Sequence, residues 1–111
     1  MQALIVKDPW ASMIVSGEKT IEIRTMRTKK IGKEIYIAKS GTKTLIGKVT
    51  IEKCLPLTVN EFSQLADKHK AKGMYPKKQV YGWFLTKPIA FKDPLPYSHP
   101  QGAQMWVRID S

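Results

Sequence analysis

Between Thr44 and Cys54 the chain reads TLIGKVTIEKC, an unbroken alternation of side chains. Leu45, Gly47, Val49 and Ile51 fall on one face, and Ile46, Lys48, Thr50 and Glu52 on the other. A period of two over eleven residues is that of a β-strand, not of a helix. The same period recurs in KTIEIR (19–24), with Ile21 and Ile23 in phase, and in KEIYIAKS (33–40), with Ile35 and Ile37 in phase. QALIVK (2–7), VYGWFL (80–85) and QMWVRID (104–110) are three further short strands. In VYGWFL both faces are apolar, so that strand is expected to be buried on both sides. IAF (89–91) continues it beyond Pro88, a residue that confines its position to a sheet edge or a bend. Gly32 and the SGT of 40–42 supply turns, and the connections are short. Mostly antiparallel pairing follows, the first pair excepted.

Two segments switch to a helical period. DPWASMIVSG (8–17) has Asp8 to cap, Pro9 at the first helical position and Gly17 for a left-handed stop. Trp10, Met13 and Ile14 share a face expected to lie on the sheet. LTVNEFSQLADKHKAKG (57–73) opens on a capping box, Thr58 with Glu61. It carries an apolar stripe of Phe62, Leu65, Ala66 and His69, and is expected to stop at Gly73. About six strands and two short helices imply an α+β domain. It is expected to be a small curled sheet or mostly antiparallel β-barrel, with helices over its ends. No repeat, linker or low-complexity tract divides residues 1–111, so one domain is expected.

Charge narrows the partners. Nineteen Lys and Arg stand against nine Asp and Glu, a formal net charge of +10. Such an excess favours polyanions, nucleic acid before membrane, although a merely soluble lysine-rich surface has the same composition. RTMRTKKIGK (24–33) and KHKAKGMYPKK (68–78) each hold five basic residues and no acid, enough for two sides of one groove. Neither is apolar enough to lie in a membrane, and no apolar run is long enough to span one. The short N-terminal apolar run does not have the form of a signal peptide, and a cytoplasmic protein is expected. Cys54 is the only cysteine. It excludes an internal disulfide and reads as core filler at a strand end. His69 and His99 have no ligand spacing with Cys54 or the acids, so neither a metal nor another cofactor is expected. His69 reads as a satisfied residue on its helix stripe.

Chemistry concentrates in GEKTIEIR (17–24). Glu22 and Arg24 lie two apart on one polar strand face. They can pair, or the carboxylate can meet a base amino group and the guanidinium a phosphate. Strict alternation would place Lys19 with Ile21 and Ile23 on the apolar side, costly unless it lies near solvent or a carboxylate. Its pKa is then either lowered by desolvation, which suits a base, or held up by Glu22, which suits an anion contact. On spacing alone, a fraying strand start beside an exposed ion pair is the preferred reading. Trp106, with Gln104 and Arg108, occupies the polar face of the last strand. An outward indole there would stack an unpaired base, worth ~1–3 kcal/mol; an indole covered by a loop or helix is the equal alternative. Trp10 is expected in the core at the helix start, with one edge on the cleft. Lys39 and Ser40 are second-rank phosphate contacts.

The succession of a strand, PWASMIVSGEKTIEIR, YGWFL and a closing tryptophan strand resembles the ASCH domain. That family is named for homology to a transcriptional coactivator and has a PUA-like β-barrel fold. Its signature G-x-K-x-x-E-x-R is met by Gly17, Lys19, Glu22 and Arg24, preceded by the matching Pro9, Trp10 and Ala11. The likeness spans most of the chain and is strongest over 5–40 and 80–109. It implies binding of RNA or another nucleic acid in a basic cleft, with Trp10, Lys19, Glu22, Arg24, Lys39, Ser40, Trp106 and Arg108 as candidate contacts. Some small bacterial members, similar to this chain in size, hydrolyse the amide of N4-acetylcytidine, and ribonuclease activity is also attributed to the group. If this chain is an enzyme on a modified nucleoside or RNA, Lys19 and Glu22 are its catalytic candidates. In the amidohydrolases a threonine stands where this chain has Glu22. A distant glutamate completes their site; Glu52 and Glu61, the residues considered for it here, both read as structural.

Overall fold

The alternation of 44–54 becomes the spine of the sheet. The computed structural model describes residues 1–71, 75 and 77–109. Its elements are β1 (Gln2–Val6), α1 (Trp10–Ser16), β2 (Ile21–Arg24), β3 (Glu34–Lys39), β4 (Thr44–Leu57), α2 (Val59–Gln64), α3 (Ala66–His69), β5 (Val80–Pro96) and β6 (Trp106–Arg108). One six-stranded sheet has the order β2-β5-β4-β3-β1-β6. Among the described residues only β1 and β3 run parallel; the other pairings are antiparallel. The expected barrel is not closed, because β2 and β6 remain as two edges of a curled, mixed sheet.

Leu45, Gly47, Val49 and Ile51 all face the interior, as their alternation requires. β4 runs on to Leu57, so Cys54 lies within the strand, partly buried against the core. β5 is a single strand through Pro88. Lys87 takes a left-handed backbone with φ 52°, and the β4–β5 register shifts between Lys48 and Thr50, so the proline sits at a bend. Its apolar first half is buried at Val80, Gly82, Trp83 and Leu85.

α1 turns a different face inward from the one its sequence suggests. Ala11, Ile14 and Val15 are buried, while Trp10 is 37% exposed. The helix can lie flat because Gly47 has no side chain beneath it. A Cβ there would stand 2.2 Å from the Ile89 carbonyl oxygen and 2.5 Å from Val15 Cγ1. Gly47→Ala is therefore expected to cost about 1–3 kcal/mol or more, read as a lower urea midpoint at unchanged m-value. Wild-type stability in that variant would show that α1 does not depend on this close approach. Asp8 serves the helix start by accepting from Ser12 N at 3.0 Å and Ser12 Oγ at 2.8 Å, while Pro9 stands one residue ahead of the helix. Gly17 stops it at φ 88°.

The second helical segment is two helices, giving three among the described residues rather than two. The Thr58–Glu61 capping box forms, but Leu65 leaves helical geometry and separates α2 from α3. α3 ends at His69, with Lys70 left-handed at φ 63°. Gly73, the expected stop, lies outside the described residues.

Candidate functional site

The curl of the sheet brings the edge strand β2 opposite β1, with no backbone pairing between them. Arg24 bridges this seam, its Nη2 donating to the Ile5 carbonyl at 3.0 Å. A hollow of about 420 Å³ opens there, a size typical of small-ligand sites. Ile5, Val6, Lys7 and Trp10 wall one side and Lys19, Glu22, Ile23 and Arg24 the other, with Ser40, Ala71 and Gln104 at the margins.

Three ionic groups form a chain across this wall. Glu22 Oε2 accepts from Arg24 Nε at 2.9 Å and lies 2.7 Å from Nη2, while Glu22 Oε1 lies 3.4 Å from Lys19 Nζ. Lys19 also donates to the His69 carbonyl, fifty residues on. Only 2% of Lys19 and 7% of Glu22 is exposed, so the triad is an interior feature rather than a solvated edge. Lys19 does not follow the strand alternation because β2 begins only at Ile21. Its own N–H donates to Met13 O and that of Thr20 to Lys68 O, so Lys19 lies ahead of the ladder, whose first bond to β5 is Leu85 N–H to the Thr20 carbonyl. The side chain thus joins Glu22 instead of Ile21 and Ile23. Burial lowers the Lys19 pKa below the ordinary 10.5, against the opposing pull of Glu22.

His69 holds the far wall in place. Its ring is fully buried, stacks on Phe62 at 4.2 Å, and is bonded at both nitrogens. Ala71 N–H donates to Nδ1 at 2.9 Å, so Nε2 carries the proton donated to the Phe62 carbonyl at 2.7 Å. That neutral tautomer agrees with a pKa lowered chiefly by burial. The clamp presents three consecutive residues to the site: His69 O holds Lys19, Lys70 O accepts from Trp10 Nε1 at 3.4 Å, and Ala71 lines the hollow.

Of the residues singled out from sequence, Trp10, Lys19, Glu22, Arg24 and Ser40 meet in the hollow. Trp10 is a wall residue there and not a core residue. Lys39 is outside it, paired with Asp8 at 2.9 Å. Trp106 and Arg108 also lie outside. Trp106 is half-buried, stacked on Trp83 at 5.9 Å and 15°, with Lys30 Nζ 5.0 Å from its ring centre. The two basic clusters border the hollow through Arg24 and Ala71; residues 72–74 and 76 lie outside the described residues. Lys7, Gln104 and the His69 carbonyl were not anticipated. Gln104 had a sequence cue, being polar and just ahead of a strand that pairs with β1; a backbone acceptor has none. Among the described residues no group of three or more His, Cys, Asp or Glu side chains could hold a metal ion, and no helix is long and apolar enough to cross a membrane.

An α+β mixed sheet whose seam is lined by the G-x-K-x-x-E-x-R side chains is what an ASCH domain would present. The ASCH domain family profile matches residues 4–95, and the chain belongs to that family, with which a PUA-like fold is consistent. The crystal structure of ASCH from Zymomonas mobilis superposes with a TM-score of 0.77 at 18% identity, covering 98% of this chain and 87% of that one. Crystal structures of two mutant proteins of Zymomonas mobilis ASCH superpose at 0.71 and 0.70, again at 18% identity and 98% of this chain, covering 89% and 87% of theirs. At that identity the likeness is one of fold. No curated protein sequence matches the chain.

Proposed function

We propose that the protein binds single-stranded RNA by taking an unpaired nucleobase into the seam between β1 and β2. The observation that carries this reading is the hollow itself. It is the size of a small-ligand site, with an exposed indole on one wall and, on the other, a buried Lys–Glu pair joined to the half-buried Arg24. Sequence-reading RNA proteins stack splayed bases on aromatic rings and bond their edges. Trp10, with its indole N–H tied to Lys70 O, supplies the ring. Lys7 and Arg24 are the phosphate contacts, and the Lys19–Glu22 pair faces the base edge.

The test is fluorescence anisotropy with a labelled single-stranded RNA across a salt series. Log affinity is expected to fall linearly with log salt, with a slope of about −0.7 per phosphate neutralised. Trp10→Ala is expected to weaken binding by ~1–3 kcal/mol. Binding that ignores both salt and Trp10 would remove the proposal.

A second reading has its own observation: Lys19 is a buried amine of lowered pKa beside a carboxylate, the setting of a general base. On N4-acetylcytidine the neutral amine would take a proton from water as the water adds to the acetyl carbonyl. The amide C–N bond then breaks, and the proton returns to the leaving cytidine amine. Deacetylation that rises with pH and disappears in Lys19→Met would favour this reading. Following RNA length in the same incubation would detect strand cleavage.

A further inference from the structure

The seam does not end at Ser40 and Gln104. A second compartment of about 340 Å³ shares Ile5, Ser40 and Gln104 with the first as a common wall. Its remaining walls come from two turns, one carrying Lys43 and the other Tyr97 and His99. These turns are fastened to each other, since Tyr97 N–H donates to the Lys43 carbonyl at 3.1 Å. The first is braced by Thr42 Oγ1, which donates to Lys39 O at 2.8 Å.

The second turn is braced by its own side chains. His99 Nε2 lies 2.9 Å from the Ala103 carbonyl, which can only accept, so Nε2 carries a proton. In the neutral ring Nδ1 is then an acceptor for the Tyr97 hydroxyl at 2.8 Å. Two aromatic rings, 5.7 Å apart and tilted by 52°, are thereby fixed beside the compartment. Among the described residues its walls include a lysine and no carboxylate. An aromatic surface, a cation and polar side chains at the common wall match one nucleotide, base and phosphodiester together.

We propose that this compartment binds the nucleotide adjacent to the one in the seam, so that the ligand is an RNA strand of at least two nucleotides and not a free nucleoside. The inference rests on the seam being the first base site. Tyr97 stacks the second base, Lys43 and Ser40 meet the linking phosphate, and Gln104 stands between the two bases. Neither ring was read from sequence as a base contact, because what places Tyr97 is its packing against the cluster of Ala3, Ala38, Leu45 and Val107 and its backbone bond to Lys43, contacts made mostly with residues far away in the chain.

The experiment compares a ribodinucleoside monophosphate with its two component nucleosides, by calorimetric titration of the full chain. The dinucleotide is expected to bind at least about tenfold more tightly than either nucleoside. Tyr97→Ala and Lys43→Ala are each expected to erase most of that gain and leave nucleoside binding unchanged. Lys43 is exposed in a turn, so its variant retains the fold even if Tyr97→Ala disturbs the loop. Equal affinity for dinucleotide and nucleoside, or a gain that survives both substitutions, overturns the second compartment alone. Trp10→Ala separates the two ideas: loss of nucleoside binding in that variant keeps the seam reading standing. Absence of binding by nucleosides and dinucleotide alike overturns both.

Discussion

Glu22→Ala is expected to destabilise the protein by about 3–5 kcal/mol, more than any other change in the site. Glu22 is the shared acceptor of Lys19 and Arg24, and its removal strands an ammonium that is only 2% exposed. Lys19→Met is expected to lose less, on the order of 1–3 kcal/mol. It leaves a neutral carbonyl, His69 O, without its donor, while Glu22 keeps Arg24. Urea titration of the two variants fixes the order, and equal losses would mean that Lys19 is not charged in the folded protein. The pH series adds a sign. Below its lowered pKa, Lys19 holds its proton in both folded and unfolded chains and contributes no slope. From there up to the ordinary 10.5 the unfolded chain binds the additional proton, so stability rises with pH. Lys19→Met lacks that rise, and the wild type's advantage over it should grow toward alkaline pH.

Trp83→Ala is the second large effect, expected at about 3–5 kcal/mol and roughly 15 °C or more in Tm. Trp83, on β5, is fully buried in the core, donates from Nε1 to the Met26 carbonyl at 3.0 Å and carries Trp106 on its face. Truncation opens a cavity, frees a backbone acceptor and removes the support of the closing strand at once. Trp83→Phe keeps much of the volume and should lose substantially less. Because Trp83 does not line the seam, RNA affinity of the folded Trp83→Phe protein should equal that of wild type. A thermal melt and one anisotropy titration check both statements. A small loss in Trp83→Ala would place the weight of the core elsewhere.

What could be read from sequence, and what could not, divides along the range of the interactions. The inward set of β4 is written in its own alternation, and the Thr58–Glu61 box closes between residues three apart; both were legible. α1 was harder. It has only seven residues, of which Trp10, Ala11, Met13, Ile14 and Val15 are all apolar, so two faces compete. The close approach at Gly47 favours Ala11, Ile14 and Val15 over the bulkier Trp10. Sheet closure was not legible either, since it depends on whether the two edge strands, β2 and β6, meet, and they stand about eighty residues apart in sequence. In the signature, Lys19, Glu22 and Arg24 stood out as residue types, but their burial did not. That burial comes from the 69–71 segment, whose contribution to Lys19 and Trp10 is made by carbonyl oxygens that carry no sequence mark.

The walls of the seam come from residues 5–10, 19–24, 40, 71 and 104, almost the whole length of the chain. No fragment of the protein, and no partly opened form with α3 or β6 detached, would contain a complete binding site. Occupancy is therefore tied by mass action to the intact native state. A ligand present at a hundred times its Kd should raise global unfolding free energy by about 2.7 kcal/mol. Amide exchange should slow together in β1, β2 and α3, although these segments are remote from one another along the chain.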